Sequence, residues 1–375
     1  MKRIIRFIGR QEYLSFIRHV KRSNKKLYRN MEPIDLIHAV ACTRADLKRL
    51  KHVPGIRCIE ENIKIRIRFI KEQFPIGLPV SQPEHSPIHT SPAVTIPRGI
   101  KQIQAPKAWK YSKGKRVHIG VIDTGADYSH PNLKHSLGQG FNCLQSYAVP
   151  NDDNGHGTHI CGTIAANGGE SRFKGTAPAA IIHPVKAFDK HGAAYVSDII
   201  KAIEWCTTNR MDIINMSFGM QTRSQALLDA VTNAVKKGII VVSSAGNEGK
   251  RSDIDYPARF KNTIAVGAVD KKKRIASFSN RGKQVDFYAP GEKVYSTWLD
   301  GKYSLLNGTS MATAHVTGTA ALLLSLNPKL TTYQVKRILR QTAVPIIGKT
   351  GKPMAKKMVN AFKAVRFLRR RTRPA

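Results

Sequence analysis

Val117-His118-Ile119-Gly120-Val121-Ile122-Asp123-Thr124-Gly125 is the stretch on which the fold turns. Residues 117–123 form an apolar run, rich in β-branched side chains, that closes on a carboxylate and then on a glycine turn. That pattern predicts a buried strand. Downstream the same rhythm continues: short apolar runs at 181–188, 212–217, 239–243 and 263–269 predict further strands. Longer helical patterns at 195–209, 224–237, 310–326 and 332–342 fall between them. Such alternation predicts an α/β fold, a mostly parallel sheet with helices on both faces, for residues 99–375. In a sheet of this kind catalytic groups belong at the carboxyl ends of the strands, where Asp123 stands.

Upstream of this unit the pattern differs. Residues 1–70 read as a small α+β domain of the ferredoxin-like kind: an apolar run at 4–8, a helix over 12–22, an apolar segment at 34–42 and a second amphipathic helix over 44–51. Ile63, Ile65, Ile67 and Phe69 then alternate with Lys64, Arg66 and Arg68, which predicts a strand with one buried and one wet face. Residues 71–98 carry Pro75, Pro79, Pro83, Pro87, Pro92 and Pro97 and read as a linker and processing region.

With 375 residues, 41% of them hydrophobic, the chain can bury a sizeable core, which excludes global disorder. Its 62 Lys and Arg against 25 Asp and Glu give a net charge of +37. A charge of that size reports on association, here with polyanions, and not on fold. Its one dense cluster is the tail Arg366, Arg369, Arg370, Arg371 and Arg373, with no zinc-finger or aromatic-basic motif beside it, so any polyanion contact is expected to be non-specific. No apolar stretch reaches the roughly 18 residues that span a bilayer. Arg6, Arg10, Glu12 and Arg18 interrupt the apolar core that a secretory signal needs, so a cytoplasmic location is expected, with export by an unrecognised route as the alternative. Five cysteines at scattered spacing suggest reduced thiols rather than a disulfide framework.

Three further segments carry chemistry. Gly155-His156-Gly157-Thr158-His159 precedes a run of small residues suited to a tightly packed helix. Asn307-Gly308-Thr309-Ser310-Met311-Ala312-Thr313 is a glycine turn that aims Ser310 outward at the start of a buried helix. Ser243-Ser244-Ala245-Gly246-Asn247-Glu248-Gly249 follows a strand. A serine hydroxyl needs a base to become a nucleophile, and the imidazolium so formed needs an oriented carboxylate; Ser310, His156 and Asp123 are of the types that supply these roles. Asn247 can aim its amide N–H at a developing oxyanion, with the Ser310 backbone N–H as second donor. Asp-Thr-Gly also occurs in aspartic proteases, but those need a second copy and the chain has none. His156, His159 and Cys161 are zinc-ligand types; no acidic residue follows His156 as a metalloprotease motif requires, and no metal site is expected.

VIDTG, HGTH, INMSFG, SAGNEG, APG and NGTSMAT, in that order between about residues 96 and 365, resemble the subtilisin-like serine proteases. The resemblance implies a three-layer fold and a serine endopeptidase that works through an acyl-enzyme. It implies that Asp123 orients, His156 is general base and acid, Ser310 is the nucleophile and Asn247 is the side-chain half of the oxyanion hole. Ser217, Phe218, Gly219 and Gly246 would then contact substrate, the backbone around 217–219 pairing with it as an added strand. The segment IHAVACTRADLKRLKHVPGIRCIEENIKIRI likewise resembles the family's propeptide. That implies a zymogen whose own amino-terminal domain is its inhibitor, with the segment after its last strand laid through the cleft and processing between 66 and 93. A permanently attached regulatory domain is the alternative. Since every triad and oxyanion residue is present, a pseudoprotease is disfavoured.

The chain departs from the family pattern at several positions. Ala314 stands where Pro is usual, four residues after Ser310, and is expected to relax the helix start and alter how the acyl-enzyme partitions between water and amines. Val94, Asn132 and Gly169 occupy the positions of the strong calcium site, a set too poor in carboxylates for a hard dication; that site is expected to be missing, and no cofactor to be required. Asp286 matches a weaker calcium site as a lone carboxylate, so weak binding there stays open. Asp255, with Glu248 nearby, aligns with the floor of the primary specificity pocket. It either favours Lys or Arg before the scissile bond or pairs at the surface with Arg251 or Arg259.

Overall fold

A computed structural model of the chain describes residues 2–43, 53–67, 70–71, 96–168, 173–348 and 350–372. In the amino-terminal unit, strands β1 (Lys2–Phe7), β2 (Glu32–Ile34), β3 (Ala39–Thr43) and β4 (Ile56–Glu61) form an antiparallel sheet in the order β2-β3-β1-β4. Helix α1 (Arg10–Ser23) carries Tyr13, Phe16 and Val20 at helical spacing and buries them with Ile5, Phe7 and Val40 of the sheet. The opposite face, with Ile4, Ile34, Ala39 and Ala41, belongs to an apolar cluster built mostly by the larger unit. The helix expected over 44–51 and nearly all of the linker expected over 71–98 lie outside the described residues.

Of the alternating segment 63–69, the described residues 63–67 do not join the amino-terminal sheet. It contributes β5 (Lys64–Arg66), followed by β6 (Ile70–Lys71), and both pair with strands of the larger unit. Alternation specifies one buried face, and Ile65 and Ile67 find that burial against the other domain.

The larger unit realises all five strands and all four helices expected from the sequence, with ends shifted by two residues at most. The strands are β7 (His118–Asp123), β8 (Ile181–Lys186), β10 (Ile213–Met216), β11 (Ile240–Ser244) and β12 (Ile264–Val269), with β9 (Ala193–Tyr195) outside the sheet. They lie parallel in the order β12-β11-β10-β7-β8, continued past β12 by β13 (Phe287–Pro290). A hairpin of Val344–Ile347 and Pro353–Met358 closes that edge, and Phe141–Asn142 closes the other. Helices α2 (His156–Ala165) and α5 (Thr309–Leu324) cover one face; α3 (Val196–Thr208) and α4 (Gln225–Lys236) cover the other. The period of two divides the strand residues between the faces: Val121, Ile213 and Val242 pack with α2 and α5, while Ile122, Ile214 and Val241 pack with α3 and α4. Helix α5 is buried along its whole length, the reason for its small and apolar composition. Helices α6 (Thr332–Thr342) and α7 (Ala361–Thr372) complete the unit. Beside the main sheet, β14 (Val294–Thr297) and β15 (Tyr303–Asn307) form a hairpin whose free edge receives β6. No helix among the described residues is long and apolar enough to cross a membrane.

Candidate active site

Asp123 is the last residue of β7, at the carboxyl edge of the sheet, and its side chain is wholly buried. Its Oδ1 accepts the Thr124 N–H (2.8 Å) and faces His156 Nδ1 at 2.7 Å. An imidazole that donates from Nδ1 to a carboxylate keeps its lone pair on Nε2, the atom that can take a proton. His156 opens α2, and glycines allow that start. Gly155 has φ +103°, and a Cβ there would lie 2.4 Å from the Trp298 ring; a Cβ on Gly157 would lie 2.1 Å from Gly125 O. Asp152 anchors the same turn by accepting from Gly155 N, Thr158 N and Thr158 Oγ1.

Ser310 is the second residue of α5. Its Oγ donates to Ser217 O (2.8 Å), and Ser217 Oγ donates to Ser310 O (3.2 Å), a reciprocal clasp between the end of β10 and the helix start. Asn247, after β11, accepts from Thr309 N (2.9 Å) and Thr309 Oγ1 (2.8 Å) through its Oδ1. With the oxygen engaged there, the amide nitrogen is the end turned toward the turn before Ser310: a Cβ on Gly308 would stand 3.4 Å from it. Ala314 is fully buried in an unbroken α5.

Ser217, Phe218, Gly219, Gly246 and Asp255 line one cavity with Ser310. Phe218 is held by Phe188, ring centroids 4.9 Å apart, and its carbonyl accepts Ser244 Oγ at 3.1 Å. Asp255 is 4% exposed and sits between the two glycines; a Cβ would come within 2.8 Å of its Oδ2 from Gly219 and 2.6 Å from Gly246. Arg259, one of the two surface partners considered for Asp255, pairs with Asp253 at 2.8 Å. Lys250 Nζ lies 3.9 Å from Asp255 Oδ1. Glu248 is tied to the scaffold by Asn280 Nδ2 at 2.7 Å.

The zinc-type residues take separate partners. His159 Nε2 donates to Val294 O (3.0 Å) and Ser304 O (3.2 Å), and burial pushes its pKa down to about 3, which keeps it neutral in the core. Burial likewise raises the Cys161 thiol well above its ordinary range.

Three contributors went unread in the sequence. Lys186, 5% exposed, donates to Thr124 O (2.7 Å) and pairs with Asp153 (2.6 Å), bracing the turn after Asp123. From the amino-terminal unit, Glu60 accepts Ser224 Oγ (2.6 Å), Gln225 N and Ala226 N at the start of α4. Asn62 accepts Ser197 N (3.0 Å) and donates to Ser197 Oγ (2.8 Å) at the start of α3. The run Glu60-Glu61-Asn62 in an otherwise basic unit was the available signal.

An Asp-His pair at the carboxyl edge of a mostly parallel sheet and a helix-start serine beside an asparagine amide are the parts that a serine endopeptidase needs. The model of the subtilase family matches residues 114–364. Subtilisin DY of Bacillus licheniformis is 45% identical over 255 residues, covering 67% of this chain and 92% of its own. Subtilisin E of Bacillus subtilis is 45% identical over 256 residues, 67% of either chain. A thermostable alkaline protease of Halalkalibacterium halodurans is 38% identical over 313 residues, 83% of this chain and 78% of its own. That last match is longer than residues 99–375 and so reaches into the amino-terminal part. The chain belongs to the subtilase family and is a serine endopeptidase.

Proposed function

We propose that the protein is a self-processing zymogen: residues 1–70 inhibit the active site, and the freed enzyme cuts after Lys or Arg. One observation carries this reading. Strand β5 pairs antiparallel with β9, Ile67 N donates to Gly192 O (2.8 Å), and Arg66 lines the same cavity as Ser310. A chain added as a strand along the cleft is how an extended substrate binds, so the amino-terminal unit occupies the substrate's track. The alkaline-protease match that extends into this unit supports the same reading.

In the proposed mechanism Ser310 Oγ attacks the scissile carbonyl while His156 Nε2 takes its proton and later gives it to the leaving amine. Asp123 holds the imidazole and stabilises its charged form. Asn247 Nδ2 and the Ser310 N–H receive the oxyanion. The buried Asp255 carboxylate makes a cationic side chain the favoured occupant of the pocket. Ala314, lacking the ring usual in the family, shifts acyl transfer toward added amines; a purely hydrolytic product profile with added amine would refute that.

No calcium is required in this reading. Asn132 accepts the Tyr303 hydroxyl, and Asp286 is already paired with Lys336 Nζ (2.8 Å) and Arg340 (3.6 Å), so protein cations stand where a weak site would need a metal. Val94 and Gly169 lie outside the described residues. A melting temperature unmoved by chelator is expected, and a large drop would overturn the inference. The face of α7 where Arg366, Arg369 and Arg370 surround Tyr111 supports an accessory, salt-sensitive polyanion contact.

The central test is intact mass together with fluorophosphonate labelling of the wild type and Ser310→Ala. Labelling at Ser310 and loss of the amino-terminal unit in the wild type alone are expected. An unlabelled, full-length wild type would refute the proposal.

A further inference from the structure

One buried ammonium lies beside the catalytic pair. Lys186 ends β8, where the parallel ladder sets it opposite Asp123, and its side chain is 7% exposed. Its Nζ donates to Thr124 O at 2.7 Å and to Asp153 Oδ1 at 2.6 Å. The two acceptors belong to different halves of the site. Thr124 directly follows Asp123: its N–H binds the Asp123 carboxylate (2.8 Å), and its Oγ1 accepts the N–H of Gly157, the residue after His156, at 2.9 Å. Asp153 lies in the loop that leads into His156, next to Asp152, whose carboxylate accepts Gly155 N, Thr158 N and Thr158 Oγ1. The residues after Lys186 hold the same acid from the backbone side, since the Asp123 carbonyl accepts Ala187 N (3.0 Å) and Phe188 N (3.2 Å).

A buried ammonium gives up its water, and an apolar side chain of similar length would fill the space without that cost, so packing does not account for the charge. We propose that Lys186 is a positioning residue of the triad: it ties the turn that carries Asp123 to the loop that carries His156, and it sets the charge beneath the pair. Asp123, Asp152 and Asp153 bring three carboxylates to this region, and each favours the imidazolium, the form that cannot take the Ser310 proton. Lys186 opposes them with one positive charge. The other titratable groups here, His159 and Cys161 of α2, are kept neutral by burial. Lys186 acts through Thr124 and Asp153 and takes no proton in the reaction.

The inference rests on the triad mechanism, and one set of measurements separates the two. On a peptide substrate, kcat, KM and the pH profile of kcat/KM are measured for the purified wild type, Lys186→Met and Asp153→Asn, with active sites counted by fluorophosphonate. Lys186→Met should lower kcat per labelled site about 10- to 100-fold, the cost of a displaced catalytic group, and leave KM within about twofold. It should also move the acid limb of the profile to higher pH, because the imidazolium gains stability when the cation is lost. Asp153→Asn, at a side chain that is 52% exposed and therefore safe for folding, should lower kcat less. It should move the acid limb to lower pH, because it removes an anion. A Lys186→Met enzyme that melts earlier but keeps the wild-type kcat per labelled site and the wild-type acid limb overturns the proposal. An Asp153→Asn enzyme identical to wild type also overturns it, and decides the question where Lys186→Met does not fold. A wild type that is neither labelled nor active overturns the triad mechanism and the Lys186 assignment with it, whereas variants that match an active wild type overturn the assignment alone.

Discussion

The two sheets of this molecule are covered in different ways. The large parallel sheet has α2 and α5 on one face and α3 and α4 on the other, so both faces are buried by residues of its own unit. Among the described residues, the amino-terminal sheet covers one face with α1, while Ile4, Ile34, Ala39 and Ala41 on the other share a cluster with α3 and α4. Polar contacts cross the same boundary: Arg6 to Asp229, Glu32 to Lys201 (2.6 Å), and Glu60 and Asn62 to the starts of α4 and α3. A domain of this size has a marginal core, so borrowing a face makes its stability conditional on docking. On the zymogen proposal, this difference is the one between a permanent scaffold and a removable inhibitor.

The comparison can be broken or sharpened experimentally. The largest effect expected is that of Ser310→Ala, which should lower kcat on a peptide substrate by on the order of 10⁴ or more relative to the processed wild type, with its uncleaved amino-terminal unit still docked. Dissociation of the units in that variant, by size-exclusion chromatography, would show the catalytic serine to be part of the interface as well.

Acid should single out the scaffold. Burial lowers the pKa of His159 to about 3 and of His315 to about 4, below the unfolded value near 6.5. Each imidazole therefore contributes stability above pH 6.5 that is lost as pH falls toward its folded pKa, about 2 kcal/mol apiece by pH 5. Thermal unfolding of the processed enzyme between pH 7 and 5 tests this, and a flat profile would count against it.

A smaller effect is expected in the pocket. Asp255→Asn should cost Arg and Lys peptides about 10- to 100-fold in kcat/KM relative to neutral ones, the value of a charge-assisted pair. A peptide library with no basic preference in the wild type would end the specificity proposal. Smallest are the borrowed caps. Glu60→Ala or Asn62→Ala should each weaken inhibition by the separate amino-terminal fragment by about 0.5–2 kcal/mol, roughly 2- to 30-fold in Ki. Unchanged inhibition would mean that the shared apolar face carries the docking.

Much of this was legible beforehand because it is local. Period-two and 3.6-residue patterns separated strands from helices, and the segments around Asp123, His156, Asn247 and Ser310, each of a kind with other common uses, carried the family resemblance by occurring together in one order. The alternation at 63–69 was legible as a strand but not as a partner of β9, since periodicity reports that one face is buried and not what buries it. Lys186 was hidden for a similar reason: a lysine in a strand reads as a wet position until Asp153 and the Thr124 carbonyl meet it.

By itself the sequence determined which segments are strands and which are helices, that helices cover both faces of the sheet, and where Asp123, His156 and Ser310 stand at element ends, because each depends on neighbours a few residues apart. The tertiary structure alone decided that Asp255 lies under two glycines in the cavity it shares with Ser310, that Glu60 and Asn62 cap helices of another unit, and that β5 pairs with β9 and β6 with β15. Those pairings join residues from 9 to over 230 positions apart, and only packing of the assembled layers chooses among the partners that charge and hydrogen bonding would allow.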